Sequence, residues 1–165
     1  MPFAVTHVLA SILLIDLFRK FVLKKKDFPL YLVLIGGVAG LLPDIDFIIF
    51  WILELFTSLD TSTVHSTYTH SLVIPLVLLL IAVALWKYKK AAHVFLVVSA
   101  GYTIHLLLDA LFAKKPLFFP FSSTDLGLTL VPSTMLTAVY MSIDAVILVI
   151  WLVYEWKTKN IRDYI

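Results

Sequence analysis

Seven histidine and aspartate residues have the types and spacing that favour binding of a divalent metal ion. They are His7, Asp44, Asp46, His65, His70, His105 and Asp109. His105 and Asp109 are four residues apart, so a helix places both side chains on one face, about one turn apart. The same spacing lets a two-histidine helix hold zinc in metalloproteases. Nitrogen and oxygen ligands without sulfur suit zinc, the ion we expect here, and also Mn²⁺, Fe²⁺ or Ni²⁺.

The number of candidate ligands bears on the number of ions. A single zinc ion uses about three or four protein ligands, and seven candidates exceed that number, so we expect one or two ions. Asp44 and Asp46 flank one residue at a helix start, where their carboxylates can bridge two ions. Each group also has a structural alternative. The histidine–aspartate pair can join helices by a hydrogen bond, the two neighbouring aspartates can cap a helix, and His65 and His70 can lie solvated in a loop.

The composition indicates that these polar residues belong to a membrane protein. The chain has 165 residues, of which 61% are hydrophobic and 15% are charged, and its mean hydropathy is +1.00. A soluble domain is about 45–50% apolar and about 25% charged, and one core of this length cannot bury so much apolar side chain. The net charge of +2 is too small and too dispersed to suggest nucleic-acid binding, so we expect no nucleic-acid partner. We expect one integral membrane domain over residues 1–165.

Five apolar segments are expected to form an all-α bundle of transmembrane helices. They span residues 3–23, 29–56, 70–86, 91–112 and 135–156. With five crossings, eleven basic residues fall on one face of the membrane and only Lys114 and Lys115 on the other. Because basic residues collect on the cytoplasmic side, the amino terminus is expected outside and the carboxyl terminus in the cytoplasm of a prokaryotic inner membrane.

The second segment is expected to be broken at Pro43. Proline disfavours helical conformation in the residue before it and suits the first turn of a new helix. Carboxylates such as Asp44 and Asp46 suit the same position. We therefore predict a break near Leu42 and a second half-helix from Pro43 to about Phe56. Broken helices at membrane depth are tolerated where they line a cavity.

The candidate ligands are expected to converge in the outer half of the bundle. With a rise of about 1.5 Å per residue, His105 lies roughly 21 Å from the cytoplasmic end of its helix, and Asp109 lies one turn further out. Asp44 reaches a similar height, while His7 and His70 begin their helices from the outside. Ligands on separate helices thus meet at one depth.

Other ionisable residues are given different roles. Asp144 lies about halfway along the last helix and is expected to orient a ligand histidine or to act as a general base, with direct metal ligation as an alternative. Asp16 is expected to pair with Arg19 or Lys20 at the cytoplasmic interface. His93 is interpreted as structural.

The chain resembles the YdjM-like family of inner-membrane metal-dependent hydrolases. The matching motifs are Thr6-His7, Leu41-Leu42-Pro43-Asp44-Ile45-Asp46, His65-x-x-x-Thr69-His70-Ser71-Leu72, Gly101-Tyr102-x-x-His105-x-x-x-Asp109 and Lys115-Pro116-Leu117-Phe118-Phe119-Pro120. The resemblance implies a polytopic membrane protein with a divalent-metal hydrolase site. The family usually carries an arginine where this chain has Ser66. Lys114 and Lys115 can replace its charge near an anionic group.

These observations together predict a metal-dependent hydrolase that acts on a lipid or lipid-linked substrate at the outer leaflet. Asp46 or Asp144 is the candidate general base. A site at membrane depth implies membrane lipids as partners, and a phosphoester, a carboxylic ester or an amide would suit it equally. The alternative is a divalent cation transporter or channel, because ligands along a broken helix also suit a permeation site. A haem protein is a weaker third interpretation.

Overall fold

The computed structural model describes residues 4–22, 28–56, 68–131 and 135–158, and these residues form helices joined by turns and loops, without a strand. The helices are α1 (Ala4–Leu17), α2 (Leu30–Ala39), α3 (Ile45–Glu54), α4 (Val73–Ala84), α5 (Lys89–Phe112) and α6 (Leu136–Thr158). The predicted all-α class is confirmed. A π-helical turn, Phe18–Val22, extends α1.

Two helical stretches within the described ranges are long and apolar enough to cross a membrane. Leu30–Glu54 has 25 residues and a mean hydropathy of 2.0, and Lys89–Phe112 has 24 residues and a mean hydropathy of 1.8. The apolar helix Val73–Ala84 is shorter. Exposed apolar side chains and buried polar ones complete the pattern: Leu80 and Val83 are 59% and 62% exposed, whereas His105 and Asp109 are fully buried. That inverted distribution is typical of a protein whose outer surface meets lipid.

The break predicted in the second apolar segment is present. Helix α2 ends at Ala39, and α3 begins at Ile45. Between them, a 3₁₀ turn spans Leu42–Asp44, with Pro43 as its second residue. In a continuous helix, the carbonyl of Gly40 would accept a hydrogen bond from the backbone N–H of Asp44. Here that N–H donates to the carbonyl of Leu41 at 3.1 Å instead. The break therefore leaves the Gly40 carbonyl available to a side chain.

Helices α2 and α5 touch through their backbones at glycine. Gly36 of α2 and Gly40, directly after its end, have the spacing that lets transmembrane helices approach closely. Opposite them lies Gly101 of α5, where an added Cβ would be only 1.9 Å from the carbonyl oxygen of Gly36. Because no side chain separates the two helices, His105, one turn beyond Gly101, lies directly beside Gly40.

A group of polar residues lies near the carboxyl end of α1, where Asp16 is fully buried. Arg19 donates from Nε to one carboxylate oxygen at 2.7 Å, and the Lys20 Nζ lies 3.1 Å from the other. The hydroxyl of Tyr154 on α6 also donates to Asp16. The predicted pairing of Asp16 is thus confirmed with both cations. His93 makes ring contacts with Phe28 and Trp86, in keeping with a structural role.

Candidate metal centre

Five side chains from four parts of the chain converge at one buried point, which we call the metal centre. They are His7 on α1, Asp44 in the 3₁₀ turn, His70 before α4, and His105 and Asp109 on α5. The ligand atoms of His7, Asp44 and His105 all lie within 4.8 Å of one another, and so do those of His70, His105 and Asp109. Asp44 has 24% of its side chain exposed, and the other four are fully buried. These groups can hold a metal ion.

The distances within the centre fit ligands around an ion better than they fit hydrogen bonds. His7 Nε2 lies 3.5 Å from Asp109 Oδ1, and His70 Nε2 and His105 Nε2 each lie between 3.4 and 3.6 Å from oxygens of Asp44 and Asp109. An N–H···O hydrogen bond is about 2.7–3.2 Å long. Two ligands about 2.0–2.1 Å from one zinc ion, at the tetrahedral angle, lie about 3.4 Å apart.

The polar atoms themselves support the same interpretation. Among the described residues, both ring nitrogens of His7, Nε2 of His105, Oδ1 of Asp44 and both carboxylate oxygens of Asp109 are buried and make no hydrogen bond. Leaving so many buried polar atoms without hydrogen bonds costs about 1–3 kcal/mol for each. A bound cation would satisfy them together.

The tautomer of His105 follows from its contact with the broken helix. Its Nδ1 lies 2.6 Å from the carbonyl oxygen of Gly40, which can only accept. The proton must therefore be on Nδ1, and Nε2 presents its lone pair to the metal centre. Such outer contacts orient metal-binding histidines and raise their basicity. The break at Pro43 thus supplies one candidate ligand, Asp44, and orients another, His105.

His70 is oriented through Thr69. The Thr69 hydroxyl donates to Asp46 Oδ2 at 2.6 Å, because an ionised carboxylate can only accept. The same hydroxyl oxygen lies 3.1 Å from His70 Nδ1, so it accepts the ring N–H there. Asp46 Oδ2 itself is 3.7 Å from His70 Nδ1. The two hydrogen bonds that link Asp46, Thr69 and His70 thus direct the Nε2 lone pair of His70 toward the centre.

His7 is held by the ring of His105 and by its own helix. The two imidazoles are stacked, with ring centroids 3.8 Å apart and an interplanar angle of 22°. Metal binding would require the neutral form of both rings. Next to His7, the hydroxyl of Thr6 donates to Asp144 on α6. Asp144 therefore ties α1 to α6 beside a candidate ligand.

The structure brings together five of the seven predicted ligands. Neither ligand group includes Asp46, which lies behind His70. Asp144 contacts Thr6, and its role as general base stays a prediction. His65 lies outside the described residues.

Sequence reasoning missed the supporting roles of Thr69, Gly40 and Tyr102, whose hydroxyl donates to the Thr69 carbonyl. Thr69 and Tyr102 lie in motifs that contain the candidate ligands His70 and His105. That proximity in the sequence could have indicated their supporting roles. The Gly40 contact had no such signal.

The two lysines predicted near the site differ in burial. Lys115 is 6% exposed, whereas Lys114 is exposed. Of the two, only Lys115 is therefore buried within the protein.

Comparison with known proteins agrees with the geometry. The family model described as the YdjM inner membrane protein matches residues 1–162. No curated protein and no solved structure matches the chain. The match includes every residue of the metal centre and both helical stretches that can cross a membrane. The chain belongs to the YdjM inner membrane protein family.

Proposed function

We propose that this protein is a membrane-embedded hydrolase that depends on one divalent metal ion and acts on a lipid or lipid-linked substrate at the outer leaflet. The observation that carries the proposal is the convergence of three imidazoles and two carboxylates at one buried point among apolar helices. Ionisable groups inside a membrane protein are costly, so their assembly calls for a functional explanation.

The ligand geometry favours one ion over two. Both ligand groups include His105, and its Nδ1 is engaged by Gly40. Only one lone pair, on Nε2, is left for metal, so the two groups describe one site. The charges agree, since the centre contains two carboxylates, Asp44 and Asp109, which carry two negative charges. One divalent ion neutralises the centre.

Three nitrogen and two oxygen ligands suit zinc, with Mn²⁺, Fe²⁺ and Ni²⁺ as alternatives. When bound, such an ion polarises the scissile group and lowers the pKa of a water molecule. The chain's own residues orient the ligands: Gly40 holds His105, and Asp46 holds His70 through Thr69. Asp46 and Asp144 remain the candidate general bases. Of these, Asp46 is connected to the centre.

Access to the centre supports a lipid substrate. Asp44 is the most exposed of its five members, so the centre opens at the 3₁₀ turn. Leu42 and Ile45 flank this opening and are themselves exposed. A substrate that reaches Asp44 must cross an apolar surface, which favours a molecule already dissolved in the membrane.

Membrane location follows from the family and from the apolar helices. The finer arrangement is part of the proposal: five crossings, with the amino terminus outside. Eleven of thirteen basic residues then lie on the cytoplasmic side. A tag inserted at residue 89 should be inaccessible from outside the cell. Labelling of that tag in intact cells would reverse the orientation.

The alternative, a divalent cation transporter, receives less support from the structure. An ion that left the centre toward the cytoplasm along α1 would meet Asp16, which is already paired with Arg19 and Lys20. Two cations beside one carboxylate repel a divalent ion. The polar groups at the inner end of α1 thus oppose cation passage along this helix.

Metal analysis of the purified protein tests the proposal first. The wild type should carry close to one equivalent of metal. His105→Ala and Asp44→Ala should each lower that content, because each removes a ligand. His93→Ala is the matched control, since His93 makes ring contacts with Phe28 and Trp86 away from the metal centre and the variant should keep the metal. Undiminished metal in both ligand variants would refute the site.

A second experiment separates enzyme from transporter. Wild-type protein in detergent should hydrolyse one of three classes of lipid substrate: a phosphoester, a carboxylic ester or an amide. The same protein in liposomes should not raise divalent cation flux above that of protein-free vesicles. Flux that depends on His105, without hydrolysis, would favour the transporter instead.

A further inference from the structure

The segment that follows α5 presents a row of exposed apolar side chains. It covers residues 113–131, and we call it the apolar loop. Phe121 is 85% exposed and Leu128 is 65% exposed, and the other large apolar side chains that the loop exposes are Phe118, Leu126 and Leu130. A contiguous apolar surface of this kind marks a place where a partner or a membrane binds.

The apolar loop is fixed to the end of α5 by backbone hydrogen bonds. The N–H of Leu128 donates to the carbonyl of Ala110 at 2.8 Å, and the N–H of Leu130 donates to the carbonyl of Leu111 at 3.1 Å. These bonds hold the loop in one conformation against the helix. The exposure of its apolar side chains is therefore a property of the fold.

The backbone of the apolar loop is prepared for contact with lipid. Lipid tails offer no acceptor to a backbone N–H, so a segment that meets them must satisfy these groups internally. The N–H of Leu126 donates to the carbonyl of Lys115 at 2.8 Å, and the N–H of Phe121 donates to the carbonyl of Phe118 at 2.9 Å. With the two bonds to α5, these contacts satisfy four of the five amides that carry the exposed apolar side chains.

The apolar loop also continues an exposed apolar face of α5, a helix long and apolar enough to cross a membrane. Leu130 is bonded to the backbone of Leu111, whose own side chain is exposed, and Leu107, one turn earlier, is exposed as well. In a membrane this face of α5 meets lipid. Because the loop adjoins it, the same lipid favours the loop over a water-soluble partner.

The apolar loop lies beside the metal centre. Ser71 and Leu72 directly follow the candidate ligand His70. The hydroxyl of Ser71 donates to the carbonyl of Phe119, and the N–H of Leu72 donates to the carbonyl of Leu117 at 2.9 Å. The loop is thus attached to the chain that supplies His70, at the same end of the bundle.

We propose that the apolar loop inserts its exposed phenylalanine and leucine side chains into the membrane interface and binds acyl chains of the lipids next to the metal centre. Such side chains enter about 5–10 Å into the boundary between headgroups and acyl chains. The polar residues 122–125 form the part of the loop that stays in water. This inference requires only membrane location, which follows from the family, and it is independent of metal and of hydrolysis.

Spin labels placed on the apolar loop test this position directly. The chain contains no cysteine, so one introduced cysteine carries the only label. The test variants are Phe121→Cys and Leu128→Cys. Ser123→Cys is the matched control for an exposed polar position in the same loop, and Leu80→Cys is the reference for an exposed apolar position on α4.

Each full-length variant is reconstituted into vesicles of phosphatidylethanolamine and phosphatidylglycerol. Electron paramagnetic resonance then measures collisions of the label with oxygen, which concentrates in lipid, and with a water-soluble nickel chelate present on both sides of the membrane. The labels at Phe121 and Leu128 should lose most of the nickel collisions that Ser123 shows and should resemble the label at Leu80. Because the replaced side chains are exposed, the substitutions remove few packing contacts.

Two outcomes would overturn the inference. Nickel collisions at Phe121 and Leu128 as frequent as those at Ser123 would place the loop in water. Protection of both labels from oxygen as well as from nickel would show that protein covers the loop, and spectral broadening that disappears on dilution with unlabelled protein would identify a second copy of the chain as the occupant. Metal-free protein should give the same collision rates as metal-loaded protein, so failure of the proposed function would leave this inference intact.

Discussion

Replacing Thr69 with valine tests whether a residue that is not itself a candidate ligand orients His70 for metal binding. Valine has nearly the shape of threonine but lacks the hydroxyl that links Asp46 to His70. That hydroxyl donates to Asp46 Oδ2 at 2.6 Å and lies 3.1 Å from His70 Nδ1. Without it, the His70 ring loses the contact that directs its Nε2 lone pair toward the centre. The variant should therefore fold as the wild type does but bind metal more weakly.

The size of the effect can be estimated from the contacts that are lost. A hydrogen bond to a charged group contributes about 1.5–3 kcal/mol, which corresponds to roughly 10- to 100-fold in an equilibrium constant. Removing an outer partner of a metal-binding histidine typically costs about 10- to 100-fold in metal affinity. Both routes give the same range for Thr69→Val.

The assay is competition for Zn²⁺ between the purified protein in detergent and a chromogenic chelator. Thr69→Ser keeps the hydroxyl and should bind as the wild type does. Thr103→Val is the matched control, because the Thr103 hydroxyl donates to the Ser99 carbonyl one turn earlier in α5, at 2.8 Å, and not to a group of the metal centre. Wild-type affinity in Thr69→Val, or an equal loss in Thr103→Val, would refute the reasoning.

Two further predictions concern helix contact and metal. Gly101→Ala should lower the thermal unfolding temperature in detergent more than Gly37→Ala does. A Cβ added at Gly101 would lie 1.9 Å from the rigid backbone carbonyl of Gly36, whereas a Cβ added at Gly37 would lie 2.4 Å from the side chain of Ile12, which can move. Equal shifts in the two variants would argue against backbone contact between the helices. Chelation should lower the unfolding temperature and added Zn²⁺ should restore it, because bound metal adds about 2.7 kcal/mol to the free energy of unfolding when free metal is ~100 times its Kd. An unfolding temperature that neither chelation nor added Zn²⁺ changes would argue against a metal centre.

Local patterns were enough to predict the helices and much of the ligand set. The four-residue spacing of His105 and Asp109 specifies their shared face through helix geometry alone. Pro43 predicts the break because its ring excludes a continuous helix, whatever surrounds it. The ion pair between Asp16 and Arg19 likewise joins neighbours one turn apart. Each of these features depends on residues close together in the sequence.

Contacts between distant segments could not be predicted in this way. The Gly40 carbonyl meets His105, 65 residues further along the chain, only because Gly101 lets α5 approach the broken helix. Burial of Lys115 rather than Lys114 depends on how one loop docks beside His70.

The amino-acid sequence by itself determined that this is an all-α protein with apolar helices, a break at Pro43 and histidine and aspartate residues suited to metal. Only the tertiary structure decided which of them meet, which ring nitrogens face the centre, and that Asp46 lies behind His70 with Thr69 between them. The physical reason is that ligand type and helix periodicity are local properties. The rotation and closeness of packed helices arise from contacts across the whole chain.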